Sequence, residues 1–343
     1  LLRALSRRQS LIHSRATTLP TAPITTALTV YLIRTDDLRE VWQIMRAADW
    51  TMLSFAFCMF YVGYAITAAR WRTLLRALGN ASDYWFLVRS FMVAVFFNNF
   101  LPSTIGGDAM RMYDSWRSGS SRSQAVAAFV MDRFMGLSAL LVFAVVALVF
   151  GNHGSVYDSK VASIVTVMAC AVVLVLLFVM FLPISFADRL EVLAGRLPMR
   201  LSKLSNAVTR SLRAFRNQRP ALVLALVFSF LLQANVVLYH WIVASALGLS
   251  VSLMAFFLIV PIAIVIMMIP VSINGIGVRE GLFVLLLGVH GVPQAEGLAY
   301  AWVIYVLLLL QGLIGGIVFA FRRDVSKSSS AMASQPSGRE HGA

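Results

Sequence analysis

The stretch NNFLPSTIGGDAMR, residues 98–111, decides how the rest of the chain is interpreted. It ends the apolar run 85–97 with one proline and two glycines, and it then places an aspartate and an arginine directly behind the break. These five residues are Pro102, Gly106, Gly107, Asp108 and Arg111. Irregular backbone and charge at membrane depth are costly unless they line a cavity or are buried in protein. The stretch therefore predicts a functional break within a membrane domain.

The composition supports a membrane domain. Apolar residues make up 59% of the chain and charged residues 13%, and the mean hydropathy is +0.80. A soluble core does not need this apolar fraction, whereas a polytopic membrane protein does. Several apolar runs approach the ~20 residues that cross a bilayer. They are residues 50–69, 137–150, 161–182, 221–241, 253–269 and 299–321.

The net charge of +14 has a membrane explanation as well. In a soluble protein it would indicate nucleic-acid binding. Here most of the basic excess lies in loops and tails between apolar runs, where membrane topology and anionic lipid account for it. We therefore expect no nucleic-acid partner.

The chain divides into a basic N-terminal tail (1–16), a transmembrane domain (17–324) and a Ser-rich tail (325–343) that we expect to be disordered. The first membrane segment, 17–33, is weak, since it contains two prolines and several threonines. Residues 184–220 hold eight basic residues against two acidic ones, which predicts a cytoplasmic linker. Its leucines recur at helical spacing, so an amphipathic helix on the inner leaflet and a plain connector are both open.

The distribution of charge predicts two hairpins. The chain is inside at Arg76, and the helix 124–150 also begins inside because the loop after it has no lysine or arginine before residue 160. Residues 84–122 therefore cross an even number of times and are too short for two full spans. The same count applies to residues 253–289, which enter from the outside. We expect an all-α protein of eight membrane segments, made of six spans and two oppositely oriented re-entrant hairpins.

The two breaks align with each other. Residues 102–111 and 270–279 share proline, isoleucine, glycine and arginine at matching positions, with Thr104 opposite Ser272. One copy enters from each side, which is the pattern of an inverted repeat, whose paired breaks mark a substrate site near the midplane. The alternative is that proline and glycine merely kink ordinary spans.

The residue types at the breaks suit a lipid headgroup. Broken helices leave backbone amides that attract anions, and arginine matches phosphate with two parallel hydrogen bonds. Nearby acids either neutralise the arginines in the empty site or select a cationic headgroup. The candidate substrate-binding residues are Asn98, Asn99, Pro102, Ser103, Gly106, Gly107, Asp108, Arg111, Asp132, Arg133, Pro270, Ser272, Asn274, Gly275, Gly277, Arg279 and Glu280. The alternative is that the arginines reach the interface or pair with acids and hold helices together.

Other polar and aromatic residues have simpler interpretations. A stripe along one apolar helix favours interhelical hydrogen bonding over transport; it consists of Gln233, Asn235, Tyr239 and His240. Four tryptophans, Trp71, Trp85, Trp241 and Trp302, are predicted to be interface anchors. Phosphate-binding loop, nucleophile-elbow and metal-ligand motifs are absent, and the histidines are scattered. We expect neither enzyme activity nor a cofactor.

The motifs NNFLPSTIGGDAMRMY, AAFVMDRFMGL and IPVSINGIGVREGLFVLLL resemble those of the lysylphosphatidylglycerol synthase transmembrane (flippase-like) family. This family forms the membrane half of the bacterial multiple peptide resistance factor and also occurs as stand-alone proteins. The resemblance covers roughly residues 30–323. It implies a multi-pass inner-membrane protein of bacteria that moves a lipid between leaflets. In the two-part proteins a soluble C-terminal domain makes the aminoacylated lipid, so we expect this chain not to make it.

The leading hypothesis is thus a flippase-like protein for a phospholipid or a lipid-linked headgroup. The expected partners are anionic or zwitterionic phospholipids, and the family also leaves a lipid-linked sugar or a hopanoid open. A homodimer and a lipid-modifying enzyme are further open partners. The alternative function is a non-transporting membrane partner or regulator of a lipid-modifying or glycosyl-transfer enzyme. A third and weaker hypothesis is an integral-membrane transferase that uses Asp108 and Asp132 as acid and base.

Overall fold

The computed structural model describes residues 38–100, 105–150, 218–268 and 277–322, together with a few residues between 167 and 217. Within these residues the chain is helical and contains no strand, which confirms the all-α prediction. The helices are α1 (Leu38–Ala47), α2 (Trp50–Ala77), α3 (Tyr84–Phe100), α4 (Ile105–Arg117), α5 (Arg122–Phe150), α6 (Arg219–Ala246), α7 (Leu253–Met267), α8 (Val278–Gly288) and α9 (Gln294–Ala320).

The helices form two matched sets. Each set has a long helix, two short helices and a second long helix. In α2–α5 the lengths are 28, 17, 13 and 29 residues, and in α6–α9 they are 28, 15, 11 and 27. The four long helices are long and apolar enough to cross a membrane. They coincide with the predicted spans near 50–69, 124–150, 221–246 and 299–321.

The packing of the two sets is reciprocal. Helices α2 and α6 pack extensively against each other. Helix α3 packs on α9, and its counterpart α7 packs on α5, so the first short helix of each set contacts the last long helix of the other set. This arrangement fits an inverted repeat, whose two halves exchange contacts across a common axis.

The first short pair begins and ends at the same end of the bundle. Asn80, just before α3, donates a hydrogen bond to Ser120, just after α4. Ser82 and Ser118 are joined by a hydroxyl–hydroxyl hydrogen bond of 2.8 Å. The pair is thus antiparallel, as the count of crossings requires. Its re-entry into a bilayer, and that of α7–α8, stays a prediction.

The break between α3 and α4 is held by Asn98. Its side-chain oxygen accepts a hydrogen bond of 2.9 Å from the backbone N–H of Gly107. A Cβ on Gly107 would lie 2.6 Å from the same oxygen, so only glycine permits this approach. The glycine therefore serves close helix packing.

Two contacts show which ends of the long helices lie together. Gln124 at the start of α5 donates to the carbonyl of Leu78 at the end of α2, at 2.7 Å. At the opposite end of the bundle, the N–H of Asp49 donates to the carbonyl of Ala246 at 2.8 Å. Helix α1 lies at that same end, where Val41 packs with the start of α9. We call the end with Arg76 inner and the other outer, following the positive-inside rule.

A buried ion pair fastens α4 to the end of α9. Both terminal nitrogens of Arg322 donate to the Asp114 carboxylate at 2.8 Å, and Ser90 of α3 donates to it at 2.6 Å. Asp114 is 1% exposed, whereas the Arg322 side chain is 18% exposed. The two partners therefore differ in their access to water.

This difference predicts unequal effects of the two charge-removing variants. Arg322→Gln should destabilise the protein by about 2 kcal/mol, because a buried carboxylate loses its charged donor. Asp114→Asn should cost less, because Arg322 can turn toward water. Thermal unfolding in detergent measures both. Equal losses, or a larger loss in Asp114→Asn, would contradict this account.

Several predicted regions lie outside the described residues. They are the tail 1–16, the first segment 17–33, nearly all of the span 161–182, most of the linker 184–220 and the tail 325–343.

Candidate functional site

An ion-pair network joins α2, α4 and α5 inside the bundle. The Asp132 carboxylate on α5 lies 2.7 Å from Nε of Arg70 on α2 and 3.3 Å from a terminal nitrogen of Arg111 on α4. Arg70 also donates to Ser229 of α6 at 3.0 Å. All three charged side chains are at most 8% exposed. Asp132 is thus a shared counter-ion for two buried arginines.

Asp108 and Arg133 extend this network. Asp108 lies 3.5 Å from Arg111 and forms an ion pair with Arg133, whose side chain is 46% exposed. The adjacent residues Asp132 and Arg133 therefore have different ion-pair partners. Three arginines surround two carboxylates, so the five-residue network has a net charge of +1. We call these residues, Arg70, Asp108, Arg111, Asp132 and Arg133, the inner cluster.

Aromatic rings enclose the Arg111 guanidinium. Its central carbon lies 4.3 Å from the ring centroid of Trp71 and 3.9 Å from that of Phe91. Trp71 donates to Ser115 at 2.9 Å and is 1% exposed. Its prediction as an interface anchor is therefore wrong, because its position on α2 faces the α4 hairpin. Trp85, at 64% exposed, agrees with that prediction.

The two asparagines of the motif have structural partners. Asn98 holds the break at Gly107, and Asn99 donates to the carbonyl of Leu308 on α9 at 2.8 Å. Both bonds serve helix packing, and the predicted binding of substrate by these asparagines stays a prediction. Gly106 lies with Gly107 in the first turn of α4. Pro102 and Ser103 lie outside the described residues.

The second break has its own buried charges. Arg279 and Glu280 begin α8 and are 6% and 7% exposed. The Glu280 carboxylate accepts a hydrogen bond of 2.6 Å from the N–H of Gly277, whose φ is 81°. Glu280 is therefore engaged as a helix cap, and its predicted role beside Arg279 stays a prediction. The guanidinium carbon of Arg279 lies 5.1 Å from the ring centroid of Tyr305.

Four further candidates at the second break lie outside the described residues. They are Pro270, Ser272, Asn274 and Gly275.

Arg279 lines a cavity of about 270 Å³ between α2, α6, α7, α8 and α9. Most of its walls are apolar. Its polar lining residues are Tyr64, Thr67, Asn235, Tyr239, His240 and Arg279. We call this the central cavity.

The residues of the polar stripe on α6 differ in their hydrogen bonding. Asn235 donates to the carbonyl of Met59 at 3.2 Å, and His240 is hydrogen-bonded to the Tyr300 hydroxyl at 2.6 Å. These bonds confirm the interhelical role expected for both. The hydroxyl of Tyr239 and the side-chain oxygen of Gln233 have no hydrogen-bond partner among the described residues. For these two residues the expected bonding is not found there.

The inner cluster and the central cavity lie along the same two helices. Arg70 of α2 bonds Ser229 of α6, and Gly63 of α2 packs against Asn235 of α6. Gly63 and Arg70 are seven positions apart on α2, which is about 10 Å at the rise of an α-helix. The inner cluster and the central cavity therefore lie at successive levels along α2 and α6.

A second, apolar groove of about 520 Å³ lies near the outer end, between α1, α2 and α9. Trp42 and Trp50 line it and are 62% and 65% exposed. Arg46 supplies its charged residue among those described.

The sequence interpretation missed Arg70, because it lies among arginines that mark the inner end of a span. A helical signal was present: Gly63, Arg70 and Leu74 are spaced at seven and four residues, so they share one face of α2. Leu74 is fully buried, as is typical of that face. Tyr64 was missed because a tyrosine in an apolar span has no distinctive pattern.

Comparisons with known proteins agree with this architecture. The family model described as Lysylphosphatidylglycerol synthase TM region matches residues 21–316. A UPF0104 membrane protein of Methanothermobacter thermautotrophicus is 23% identical over 280 residues, which cover 76% of this chain and 82% of that protein. No solved structure matches the chain. The family match covers most of the chain, and the apolar helices are those of a multi-pass membrane protein, so this chain belongs to the Lysylphosphatidylglycerol synthase TM region family.

Proposed function

We propose that the protein moves a phospholipid, or another lipid with a phosphate headgroup, between the two leaflets. The proposal rests on one observation above all: two arginines from equivalent short helices are buried at neighbouring levels of a bundle of spans. Arg111 and Arg279 are 7% and 6% exposed. Buried charge within membrane segments commonly marks a pathway for a polar substrate.

The inner cluster has the chemistry to receive an anion. Its net charge is +1, and Nε of Arg111 is buried without a hydrogen-bond partner among the described residues. Guanidinium groups match phosphate oxygens with parallel hydrogen bonds. A headgroup that exchanges its hydration for such donors meets a lower barrier than it does in the hydrocarbon core. To bind the headgroup, Arg111 would have to leave Asp132. Asp132 would still be paired with Arg70, so the rearrangement would be confined to Arg111.

The central cavity supplies the next position. It lies about two turns of α2 from the inner cluster, a distance of about 10 Å. A phosphate that leaves Arg111 would find a second buried cation, Arg279, in the wall of this cavity. The apolar groove between α2 and α9 offers a surface for lipid tails near the outer end.

The ion pairs also favour a second candidate, a membrane partner or regulator without transport. Every charged side chain of the inner cluster has an opposite charge within 3.5 Å, as expected if these ion pairs only hold the helices together. This candidate predicts that the purified protein moves no lipid and co-purifies with an enzyme.

Reconstitution separates the two candidates. In proteoliposomes with a tail-labelled fluorescent phospholipid, Arg111→Ala and Arg279→Ala should each slow lipid movement at least about tenfold, the effect of losing a charged donor. Arg111→Ala should still fold, because Asp132 keeps Arg70 at 2.7 Å. Arg122→Gln, at the exposed start of α5, is the matched control.

Wild-type rates in both alanine variants, with folded protein confirmed by size exclusion, would reject the assigned roles. A wild-type protein that moves no lipid would favour the partner candidate.

We further propose the bacterial plasma membrane as the location and the lipid as the principal partner. We also propose that the protein forms a homodimer and that it associates with a lipid-modifying enzyme. Chemical crosslinking in native membranes tests both.

A further inference from the structure

The inner cluster forms a chain of contacts that runs from the surface of the bundle to its interior. Arg133 is paired with Asp108, and Asp108 also contacts Arg111. Arg111 in turn contacts Asp132, so charges of opposite sign alternate along the chain. The exposed fraction of the side chains falls in the same order, from 46% and 15% to 8% and 3%. Asp108 therefore connects one accessible arginine to one buried arginine.

Arg133 is exposed at some distance from the inner end of α5. It lies eleven positions after Arg122, which begins the helix, and this is about 16 Å at the rise of an α-helix. Val126 and Phe129 share its face of α5, at spacings of three and four residues. The guanidinium carbon of Arg133 lies 5.3 Å from the Phe129 ring centroid, and Val126 is 42% exposed. A charge beside an apolar face of a span is costly and commonly functional, so this position suits a headgroup whose tails lie along that face.

The Asp108 carboxylate lies where an anion can bridge two arginines. One of its oxygens is 3.5 Å from a terminal nitrogen of Arg111, and the other is bonded to Arg133. A phosphodiester likewise presents two oxygens that share one negative charge, and guanidinium groups bind such oxygens well. The contact with Arg111 is longer than an ordinary hydrogen bond, so Asp108 is held loosely on its buried side. A phosphodiester can therefore compete for its place.

Arg111 has donors to offer such an anion. Its Nε has no hydrogen-bond partner among the described residues, and its terminal nitrogens lie 3.5 and 3.3 Å from carboxylate oxygens. The rings of Trp71 and Phe91 hold the guanidinium in place without using these donors. In the described part of the chain, the charged groups that act on Arg111 are the other members of the inner cluster. Without the Asp108 carboxylate, three arginines face one aspartate, a net charge of +2, and a bound monoanion returns it to +1.

We propose that the phosphodiester of an inner-leaflet phospholipid enters the inner cluster from the side, between α4 and α5, by displacing the Asp108 carboxylate and bridging Arg133 and Arg111. Arg133 is the first cation that the headgroup meets. Asp108 closes the entrance by occupying both arginines until a lipid phosphate competes for them. The lipid tails stay outside, along Val126 and Phe129. This entry route rests on the proposed function, since it names the side from which the same pathway takes its lipid.

Two variants that break the same ion pair test this proposal by the sign of their effects. Arg133→Gln removes a donor to the lipid phosphate, so protein purified from phosphatidylglycerol bilayers should retain about fivefold less of this lipid in native mass spectrometry. Asp108→Asn removes the competing carboxylate and should raise retention about fivefold. If the pair only holds helices together, both variants lose the same contact, and retention changes in the same direction or not at all. Either of these results would overturn the proposal.

Two exposed charges at the inner end provide matched controls. Arg122→Gln and Asp83→Asn change the net charge of the protein by the same amounts as the two cluster variants, at exposed positions outside the cluster. Retention in both controls should stay within about twofold of the wild type, as expected for exposed charges. Shifts as large as those of the cluster variants would overturn the proposal, because overall charge would then govern binding.

Lipid movement gives a second readout. In proteoliposomes, Arg133→Gln should slow the movement of tail-labelled phosphatidylglycerol about fivefold, while its unfolding temperature stays near that of the wild type. Wild-type retention and wild-type movement in this variant would overturn the entry route while leaving lipid movement established. If the wild-type protein moves no lipid but Arg133→Gln and Asp108→Asn change retention in opposite directions, the flippase function fails and the entry site stands.

A tail-free competitor separates a lipid site from a site for soluble anions. Entry from the membrane places the tails along an apolar face, and their burial adds to the affinity. Glycerophosphoglycerol in excess should therefore leave most of the phosphatidylglycerol bound to the wild-type protein. Complete displacement would overturn entry from the side, because it would identify the bare phosphodiester as the ligand.

Discussion

Asp132→Asn is expected to destabilise the folded protein by about 3–5 kcal/mol, the cost of removing one partner from a buried ion pair. Asp132 is the counter-ion of both Arg70 and Arg111 and is 2% exposed. Asparagine preserves the shape but leaves two buried guanidinium groups without that charge. The net charge of the inner cluster rises from +1 to +2. Thermal unfolding in detergent, followed by size exclusion, measures the loss.

The neighbouring residue provides the control. Arg133→Gln should change stability by less than about 1 kcal/mol, because its side chain is 46% exposed and water stabilises it. Arg70→Met combined with Asp132→Asn returns the cluster to a net charge of +1. This double variant should be more stable than Asp132→Asn alone, by the logic of a double-mutant cycle. A single variant as stable as the wild type, or a double variant less stable than either single one, would show that the network does not hold the fold.

Much of the fold was predictable because membrane segments follow simple rules. The apolar runs at α2, α6 and α9 reach the length of a bilayer crossing, and the loop charges give their direction. The antiparallel pair α3–α4 followed from the count of crossings, and the contacts of Ser82 with Ser118 agree with it. The helix lengths were predicted less well. The apolar run of α2 ends at residue 69, whereas the helix continues through three arginines to Ala77.

The sequence identified charged residues of the candidate site, but it did not identify which of them form ion pairs with each other. Proline, glycine and charge at two breaks identified Arg111 and Arg279, and both are buried. Partners depend on how helices distant in sequence come together, and spacing contains no such information. Thus Asp132 pairs with Arg70, 62 positions away along the chain, rather than with the adjacent Arg133.

Asn98 and Asn99 show the same limit. Their position beside the break suggested a role in binding a headgroup. Their amides are instead used for the approach of helices, to Gly107 and to the carbonyl of Leu308. A polar residue at a broken helix has two competing uses, and only the three-dimensional contacts distinguish them. The inner cluster lies beside the α3–α4 contact, and α3 in turn packs on α9.

Gly315→Ala is expected to destabilise the protein by about 3 kcal/mol, at the upper end of the usual cost of overpacking. Gly315 lies on α9 where α3 crosses it, and a Cβ there would lie 2.8 Å from the carbonyl carbon of Met92 and overlap its oxygen. Backbone cannot turn aside as a side chain can, so α3 must move away from α9. Small residues at such crossings are what allow membrane helices to pack closely.

The displacement should extend beyond the contact itself. Helix α3 holds the break through Asn98 and contributes Phe91 to the enclosure of Arg111. Lipid movement by Gly315→Ala should therefore fall even at temperatures where the protein stays folded. Gly288→Ala is the matched control, because a Cβ there meets no atom within 4 Å. If Gly315→Ala unfolds like the wild type, α3 and α9 are not in close contact in the membrane. If it is destabilised but moves lipid at the wild-type rate, the position of α3 does not govern the Arg111 site.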